Sequence, residues 1–290
     1  MSDVWLHPPA KVNLTLEVLG KRSDGYHEIR SVMHAIDPRD QLTLDTADEL
    51  TLRVYGGPSF RRRPAETNLV FQAAELLRER AGRKVGARIT LTKQIPLASG
   101  LGGGSSDAAA TLLALRVLWE LDVSDEELAD IGANLGSDVP FFLRGGTVIA
   151  SGRGNVIEPL PDVAQHSGWV AWPPRRSRPD KTARMYAALR PEHYTDGSRT
   201  ERLAERIRRG EPFGYNDLFN VFEAVIPEID PEGAQILRRA RELGSQPLLC
   251  GSGPALFFIS GQVPDDIRVD TITAAEAIPA AECTRIYGEA

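Results

Sequence analysis

The most informative part of the sequence reads Pro96-Leu97-Ala98-Ser99-Gly100-Leu101-Gly102-Gly103-Gly104-Ser105-Ser106-Asp107 and runs directly into Ala108-Ala109-Ala110-Thr111-Leu112-Leu113. Its glycines let another group approach the backbone closely. Ser105, Ser106 and Asp107 are good N-cap residues, and the alanines and leucines that follow favour a helix. Such a loop directs free N–H groups and the positive end of a helix dipole at one point. The pattern predicts a phosphate site, and the alternative is a flexible turn before a core helix.

This loop differs from the two commonest phosphate-binding loops. No Gly-Lys-Ser/Thr follows the glycines, which excludes a Walker A loop. Gly100-Leu101-Gly102 begins like the dinucleotide fingerprint, but the sixth position of that pattern is Ser105 rather than glycine. We therefore expect a nucleoside triphosphate bound on a less common fold.

Composition indicates an ordinary globular protein of one large or two moderate domains, because 42% of the 290 residues are hydrophobic. A net charge of −6 argues against a non-specific nucleic-acid binder, so we expect the basic clusters at residues 61–63 and 175–178 to be solvated loops. Cys250 and Cys283 lack metal-ligand spacing, which fits a reducing compartment. Without a signal peptide or an apolar run of roughly 20 residues, a cytoplasmic protein is expected.

Residues 10–18 alternate strictly between apolar and polar side chains. This period predicts a half-buried strand whose polar face carries Lys11 and Asn13 side by side. The period alone favours a solvent-exposed face for these two residues.

A turn dipeptide, Asp24-Gly25, precedes Tyr26 and His27. An aromatic ring and an imidazole at a loop end are consistent with simple packing. As a pair, they could also stack on a flat base and hydrogen-bond to it.

Several other polar residues lie at predicted helix ends or turns. Thr67 or Asn68 is the candidate N-cap of a helix over residues 68–77, and Ser124 with Glu127 forms a capping box for a helix that ends near Gly136. Asp138 follows that helix, either as a turn former or cap or as a functional group. We also expect an inter-domain link at residues 151–154. Helices are predicted over residues 182–189, 199–209 and 232–243, and another is predicted to begin at residue 216. Around Gly251-Ser252-Gly253 we expect two strands joined by a glycine turn, which is either a tight hairpin or a second place where the backbone approaches a ligand closely.

Three stretches together resemble the GHMP kinase superfamily: residues 8–14, 96–109 and 249–254. Further features resemble the branch of this superfamily that phosphorylates a cytidine diphospho-methylerythritol in the non-mevalonate route to isoprenoid precursors. These features are Lys11 with Asn13, the loop at 22–27, Asn68-Leu69-Val70 and residues 136–141. The resemblance spans about residues 8–260 and is dense through residue 155.

The resemblance implies an α+β fold of two domains. An N-terminal ATP-binding domain like ribosomal protein S5 would cover residues 1–155, and a C-terminal ferredoxin-like α/β sandwich domain would cover residues 156–290. Two departures concern the second domain: Cys250 replaces the family's usual serine, and the tail from Gln262 shows no clear long helix.

The resemblance also implies a binding site for ATP and magnesium. The loop from Pro96 to Asp107 would hold the ATP phosphates, with Asn68 and Lys93 near the nucleotide. Ser106 and Asp107 would lie near the phosphates and magnesium, although no residue is assigned as a metal ligand.

For the second substrate, the resemblance implies a role for each matching residue. Asp138 would take the proton from the erythritol hydroxyl beside Lys11, and Asn13 would orient the substrate. The cytosine would lie against Tyr26 and His27. Tyr186 would stack on its other face, Thr182 would contact the substrate, and Gly251 and Ser252 would close the site from the second domain.

Two rival functions stay open. One is another kinase of the superfamily or its related decarboxylase, for which Tyr26-His27 would have no base to bind. The other is a nucleotide-binding regulatory protein that has lost catalysis, which we would expect to lack Lys11 or Asp138. The expected partners are the small-molecule substrate and ATP, without nucleic acid or membrane, in a monomer or weak homodimer.

Overall fold

The computed structural model describes residues 4–56, 64–82, 84–163, 167–172, 180–259, 263–264 and 271–288, and the basic clusters at 61–63 and 175–178 lie outside these ranges. Within them the strands are β1 (Val4–Leu6), β2 (Pro9–Asn13), β3 (Thr15–Lys21), β4 (His27–Arg39), β5 (Gln41–Ala47), β6 (Leu50–Tyr55), β7 (Gly86–Thr92), β8 (Thr147–Gly152), β9 (Val156–Pro159), β10 (Ser167–Trp172), β11 (Phe219–Asn220), β12 (Pro247–Leu249), β13 (Leu256–Phe258) and β14 (Thr271–Glu276).

The α-helices are α1 (Leu69–Ala81), α2 (Gly103–Leu118), α3 (Asp125–Leu135), α4 (Val139–Arg144), α5 (Lys181–Ala188), α6 (Ser198–Arg208), α7 (Ile226–Ile229), α8 (Pro231–Glu242) and α9 (Ala280–Cys283). The predicted capping box is confirmed, because Ser124 accepts from the Glu127 N–H and the Glu127 carboxylate accepts from the Ser124 N–H. No helix among the described residues is both long enough and apolar enough to cross a membrane.

The N-terminal half contains two of the three sheets. One has the order β1-β5-β7-β6, and the other has the order β11-β3-β4-β8-β9 with β2 also paired to β4. Helices α1 and α2 pack on the first of these sheets through a shared apolar core. This packing places the beginning of α2, and therefore the glycine loop, beside β2.

The exposed polar face predicted for residues 10–18 is wrong. The segment forms two strands, β2 and β3, and every residue from 10 to 18 is buried. A period of two shows that a strand has two different faces, but it does not show whether other elements cover both. Here the polar face is covered by α6 and by the turn at Gly251, so Lys11 and Asn13 lie inside the protein.

The third sheet, with the order β12-β13-β10-β14, belongs to the C-terminal half. The predicted strand-turn-strand around Gly251 is confirmed as β12 and β13. The helix predicted from residue 216 is wrong, because Phe219 and Asn220 instead pair in parallel with Thr15 and Leu16 of β3. Tertiary pairing overrides local helix preference at this position.

Residues 151 and 152 end β8, and residues 153–155 form the turn to its antiparallel neighbour β9, so this segment is not a link outside the sheets. The domain boundary between residues 155 and 156 stays a prediction.

The C-terminal segment returns to the N-terminal sheets after β14. Ala277 forms a bridge with Ile36, and Tyr287 pairs with Trp5 through two backbone hydrogen bonds of 2.9 and 3.0 Å. The rings of Trp5 and Tyr287 also stack, with centroids 4.1 Å apart. The C-terminal segment therefore forms hydrogen bonds along the outer edge of β1.

Candidate active site

The glycine loop ends in a helix N-terminus that is tightly enclosed. Helix α2 begins at Gly103, with Gly102 in the left-handed region as its N-cap. Ser105 and Ser106 therefore lie in the first turn of α2, and Asp107 begins its second turn, so none of the three is the N-cap. Gly100 also has a left-handed φ of 88°, and a Cβ on it would lie 1.9 Å from the carbonyl oxygen of Cys250. Only glycine fits this position.

Backbone hydrogen bonds hold the base of the loop between the two halves of the chain. The N–H of Lys11 in β2 donates to the Leu101 carbonyl over 2.9 Å, and the N–H of Ala255 donates to the Ser99 carbonyl over 3.0 Å. The loop is thus fixed by both β2 and the β12–β13 turn.

Two cavities border this loop and are lined by different residues of it. The Asn68 cavity, of about 490 Å³, is lined by Asn68, Lys93, Leu97, Gly104 and Asp107 together with apolar residues of β6 and β7. The Lys11 cavity, of about 770 Å³, is lined on its loop side by Gly100, Gly102 and Ser105. Its other walls include Lys11, Asn13, Tyr26, His27, Asp138, Thr182, Tyr186, Gly251 and Ser252. Pro96, Ala98, Ser99, Leu101, Gly103 and Ser106 line neither cavity.

Lys11 and Asp138 face each other in the Lys11 cavity. The Lys11 Nζ lies 3.6 Å from the Asp138 Oδ2 and 2.7 Å from the Asn13 Oδ1. Lys11 is buried, whereas the Asp138 side chain is 35% exposed and makes no cap hydrogen bond to α4. Asp138 thus presents a carboxylate to the cavity beside a buried cation.

A buried charge cluster supports the other side of the loop. The Lys93 Nζ donates to the Asp107 Oδ2 over 2.5 Å and to the Asp40 Oδ2, while the Asp40 Oδ1 accepts from the N–H groups of Gln94 and Ile95. Burial alone would lower the pKa of Lys93, but the Asp107 and Asp40 carboxylates hold it above its usual value. Lys93 is therefore a cation that is already paired with protein carboxylates.

Two oxygens near the beginning of α2 have no protein partner within the described ranges, and of their two residues Asp107 lines the Asn68 cavity whereas Ser106 does not. Ser106 Oγ and Asp107 Oδ1 are buried and accept or donate no hydrogen bond among the residues that the structure describes. Those residues also contain no cluster of three or more side chains suited to holding a metal ion. Any cation here would take most of its ligands from elsewhere.

Aromatic rings form the far end of the Lys11 cavity. His27 stacks on Tyr186 with ring centroids 5.1 Å apart, and Tyr186 packs edge-on against Phe222 at 4.8 Å. Burial and the nearby Lys21 lower the pKa of His27, and burial raises the pKa of Tyr186. Both rings are therefore uncharged near neutral pH.

Two residues that sequence reasoning had not linked to the site also contribute to it. Arg153, in the turn predicted as a domain link, lines the Lys11 cavity and lies over the Tyr26 ring at 5.2 Å. Asn220 donates from Nδ2 to the carbonyls of Leu249 and Gly251 over 2.7 and 2.8 Å, which holds the turn that carries Ser252. The hydroxyl oxygens of Ser252 and Thr182 lie 2.8 Å apart, within hydrogen-bonding distance.

Comparison with known proteins agrees with this geometry. Residues 68–146, which include α1, the loop and Asp138, match the GHMP kinases N terminal domain. The overall fold resembles that of a homoserine kinase from Cytophaga hutchinsonii, with a TM-score of 0.72 at 17% identity over 98% of this chain and 97% of that one. The protein is a GHMP kinase, an ATP-dependent phosphotransferase of the expected two-domain α+β fold.

More similar relatives define the family within this class. A protein of Dehalococcoides mccartyi is 40% identical over 250 residues, 86% of each chain, and one of Listeria innocua is 40% identical over 267 residues, 90% of this chain and 89% of that one. Both are named 4-diphosphocytidyl-2-C-methyl-D-erythritol kinase. A crystal structure of 4-(cytidine 5'-diphospho)-2C-methyl-D-erythritol kinase superposes with a TM-score of 0.75 at 34% identity, covering 94% of this chain and 98% of that one. The chain belongs to the 4-diphosphocytidyl-2-C-methyl-D-erythritol kinase family.

Proposed function

We propose that this protein transfers the γ-phosphoryl group of ATP to the 2-hydroxyl of 4-diphosphocytidyl-2-C-methyl-D-erythritol, in the non-mevalonate route to isoprenoid precursors. The observation that carries the proposal is the position of the Lys11–Asp138 pair. The pair lies in a cavity that borders the same glycine loop as the Asn68 cavity and that also contains the aromatic rings near His27. One cavity thus suits a nucleoside triphosphate, and the other suits an alcohol attached to a flat base.

ATP would occupy the Asn68 cavity with its phosphates directed along the loop. The apolar residues of β6 and β7 suit a purine ring, and the N-terminus of α2 favours the negative charge of phosphates. Gly100, Gly102 and Ser105 border the other cavity, so the γ-phosphoryl group would reach the second substrate across the loop.

Magnesium would be held by Ser106 and Asp107 together with phosphate oxygens. The hydroxyl and carboxylate oxygens that lack protein partners are the hard ligands that this ion prefers. When bound, magnesium neutralises charge on the ATP phosphates. Lys93 and Asp40 would keep the Asp107 carboxylate in position through the bonds described above.

Asp138 would act as the general base. Its carboxylate accepts the proton of the 2-hydroxyl while that oxygen forms a bond to the γ-phosphorus and the bond to the bridging oxygen of ADP breaks. Lys11 would favour the ionised carboxylate and offset charge on the transferring group. No covalent enzyme intermediate is needed.

Cytosine would be recognised at the end of the cavity formed by Tyr26, His27 and Tyr186. Because His27 already stacks on Tyr186, the base would lie against the exposed Tyr26 or displace the imidazole edge rather than enter between those two rings. Arg153 would add a cation close to the diphosphate. We further propose that the protein is a cytoplasmic monomer or weak homodimer, and its two free cysteines fit a reducing compartment.

The direct test is turnover. Purified protein supplied with ATP, magnesium and the cytidine substrate should produce ADP and the 2-phosphate, identified by phosphorus NMR. Brisk turnover of mevalonate or homoserine with none of the cytidine compound would overturn the proposal.

A further inference from the structure

We propose that Ser31 is a positioning residue for phosphoryl transfer, which fixes the carboxamide of Asn13 so that its oxygen faces the Lys11 ammonium. Ser31 lies in β4, is fully buried and lines neither cavity. The inference rests on the proposed function only in taking Lys11 as the cation beside the reacting groups.

Asn13 needs an external group to set its orientation. Its carboxamide has an acceptor end and a donor end of nearly the same shape, and the Lys11 ammonium can only donate. The observed contact of 2.7 Å joins the Lys11 Nζ to the Asn13 Oδ1. The reversed amide would place an NH₂ group against the ammonium, so the contact would become repulsive.

Ser31 determines which end of the Asn13 carboxamide faces Lys11, because its hydroxyl has a single proton to donate. The Ser31 Oγ lies 2.5 Å from the carbonyl oxygen of Thr15, which can only accept, so the proton points there. The hydroxyl can then only accept from Asn13, whose Nδ2 lies 2.8 Å away. The oxygen of the amide is thereby left facing Lys11.

Thr15, which accepts the Ser31 proton, is itself held in place by hydrogen bonds in the protein interior. The Thr15 Oγ1 accepts from the Val32 N–H over 2.9 Å and meets the Thr200 Oγ1 of α6 at 2.9 Å. Thr200 in turn donates from its N–H to the buried Glu17 carboxylate over 2.8 Å. The reference point is therefore the buried junction of β3, β4 and α6.

Asn13 rather than Asp138 sets where the ammonium lies. The Lys11 Nζ is 2.7 Å from the amide oxygen but 3.6 Å from the Asp138 carboxylate. Lys11 can then support the Asp138 charge without blocking the oxygen that takes the substrate proton. Loss of the Ser31 hydroxyl should disturb this arrangement while leaving the Asn68 cavity unchanged.

The first experiment compares Ser31→Ala with the matched control Thr147→Val. Both remove a buried hydroxyl from the same sheet, since the Thr147 Oγ1 meets the His34 Nδ1 at 2.7 Å in the neighbouring strand. Ser31→Ala should lower kcat about tenfold and change the KM for ATP less than about twofold, with Ser31→Cys intermediate. Thr147→Val should leave kcat unchanged at a similar loss of thermal stability. Equal kcat values for Ser31→Ala and Thr147→Val would overturn the proposal.

The second experiment separates positioning from a general structural effect. In an Asn13→Ala background there is no amide to orient, so Ser31→Ala should lower kcat no further. The same tenfold loss in both backgrounds would refute the role through Asn13. The wild-type rate with the cytidine substrate tests the proposed function, whereas the ratios between variants test Ser31, so the two failures are distinguishable.

Discussion

The imidazole of His27 stacks on the phenol ring of Tyr186, with ring centroids 5.1 Å apart and planes inclined by 23°. His27 comes from the beginning of β4, and Tyr186 comes from α5 in the C-terminal half. The stack therefore joins the two halves of the chain at the place where the cytosine would bind.

Removing the Tyr186 ring should weaken binding of the cytidine substrate. Tyr186→Ala is expected to raise its KM about fivefold, because the change removes the ring on which His27 stacks and such a stack contributes on the order of 1 kcal/mol beyond buried area. Tyr186→Phe is the matched control, because it keeps the aromatic ring and removes only the hydroxyl group, whose pKa is raised by burial. Steady-state kinetics with both substrates provide the measurement, and an equal rise in the KM for ATP would contradict a local role.

Substrate binding should depend on pH through His27. Burial and Lys21 lower the pKa of His27 below its ordinary value of 6.5, so the ring stays neutral to a lower pH than an unperturbed histidine. The KM for the cytidine substrate should be constant from pH 8 to about 6.5 and rise only below that. Because the unfolded chain binds this proton more tightly, protonation also lowers the stability of the folded state as pH falls below 6.5.

An NMR titration of His27 would check this directly. The midpoint should lie below 6.5, and the KM for ATP, measured over the same range, should not follow it. A midpoint above 6.5 would show that a negative group dominates the environment of the ring.

Asp138→Asn should abolish chemistry and preserve binding. The amide keeps the shape of the side chain but cannot accept the hydroxyl proton, so kcat should fall about a thousandfold. Lys11 keeps its bond to Asn13, and the Asn68 cavity contains no atom of Asp138. Calorimetry should therefore give an unchanged Kd for ATP, and a surviving rate would mean that another group takes the proton.

Gly100→Ala should impair both substrates together. The added Cβ would lie 1.9 Å from the Cys250 carbonyl oxygen, so either the loop or the β12–β13 turn must move. We expect kcat/KM to fall at least about tenfold for ATP and for the cytidine substrate. Gly214→Ala is the control, because a Cβ there meets nothing within 4 Å, and it should behave as wild type.

Asp40→Asn should destabilise the fold strongly. The change removes one of two carboxylates from the buried Lys93, and breaking such a pair costs on the order of 3 kcal/mol, or roughly 10 °C in Tm. Asp125→Asn is the control: this carboxylate is 87% exposed where it pairs with Arg116, so its loss should shift Tm less than about 2 °C. Similar shifts for both variants would show that Asp40 is not structurally important.

Local patterns predicted the elements whose signals lie within a few residues. The glycine loop, α2 and the capping box of α3 follow from backbone freedom, propensity and side-chain caps, which act over one or two helical turns. The role of Asp138 depended on its likeness to a family, because a single carboxylate after a helix has many uses.

Contacts between distant parts of the chain could not be predicted in this way. The polar face of Lys11 looked exposed because its covering, the turn at Gly251, comes from the other half of the chain. No sequence motif marked Asp40, whose partner Lys93 lies 53 residues away, and Asn220 lies in a segment that pairs with β3 instead of forming a helix. In each case the contacting residue is far away in the sequence, so the local pattern of apolar and polar residues contains no information about it.

The pairing of Tyr287 with Trp5 also has a consequence for how the protein is made. The outer edge of β1 can acquire its partner only after nearly the whole chain has left the ribosome, and β3 likewise waits for Phe219. The N-terminal sheets must therefore remain incomplete during most of translation, with unpaired strand edges that favour association with other nascent chains. The outer edge of β1 is thus paired only after Lys11 and Asp138 have been synthesised.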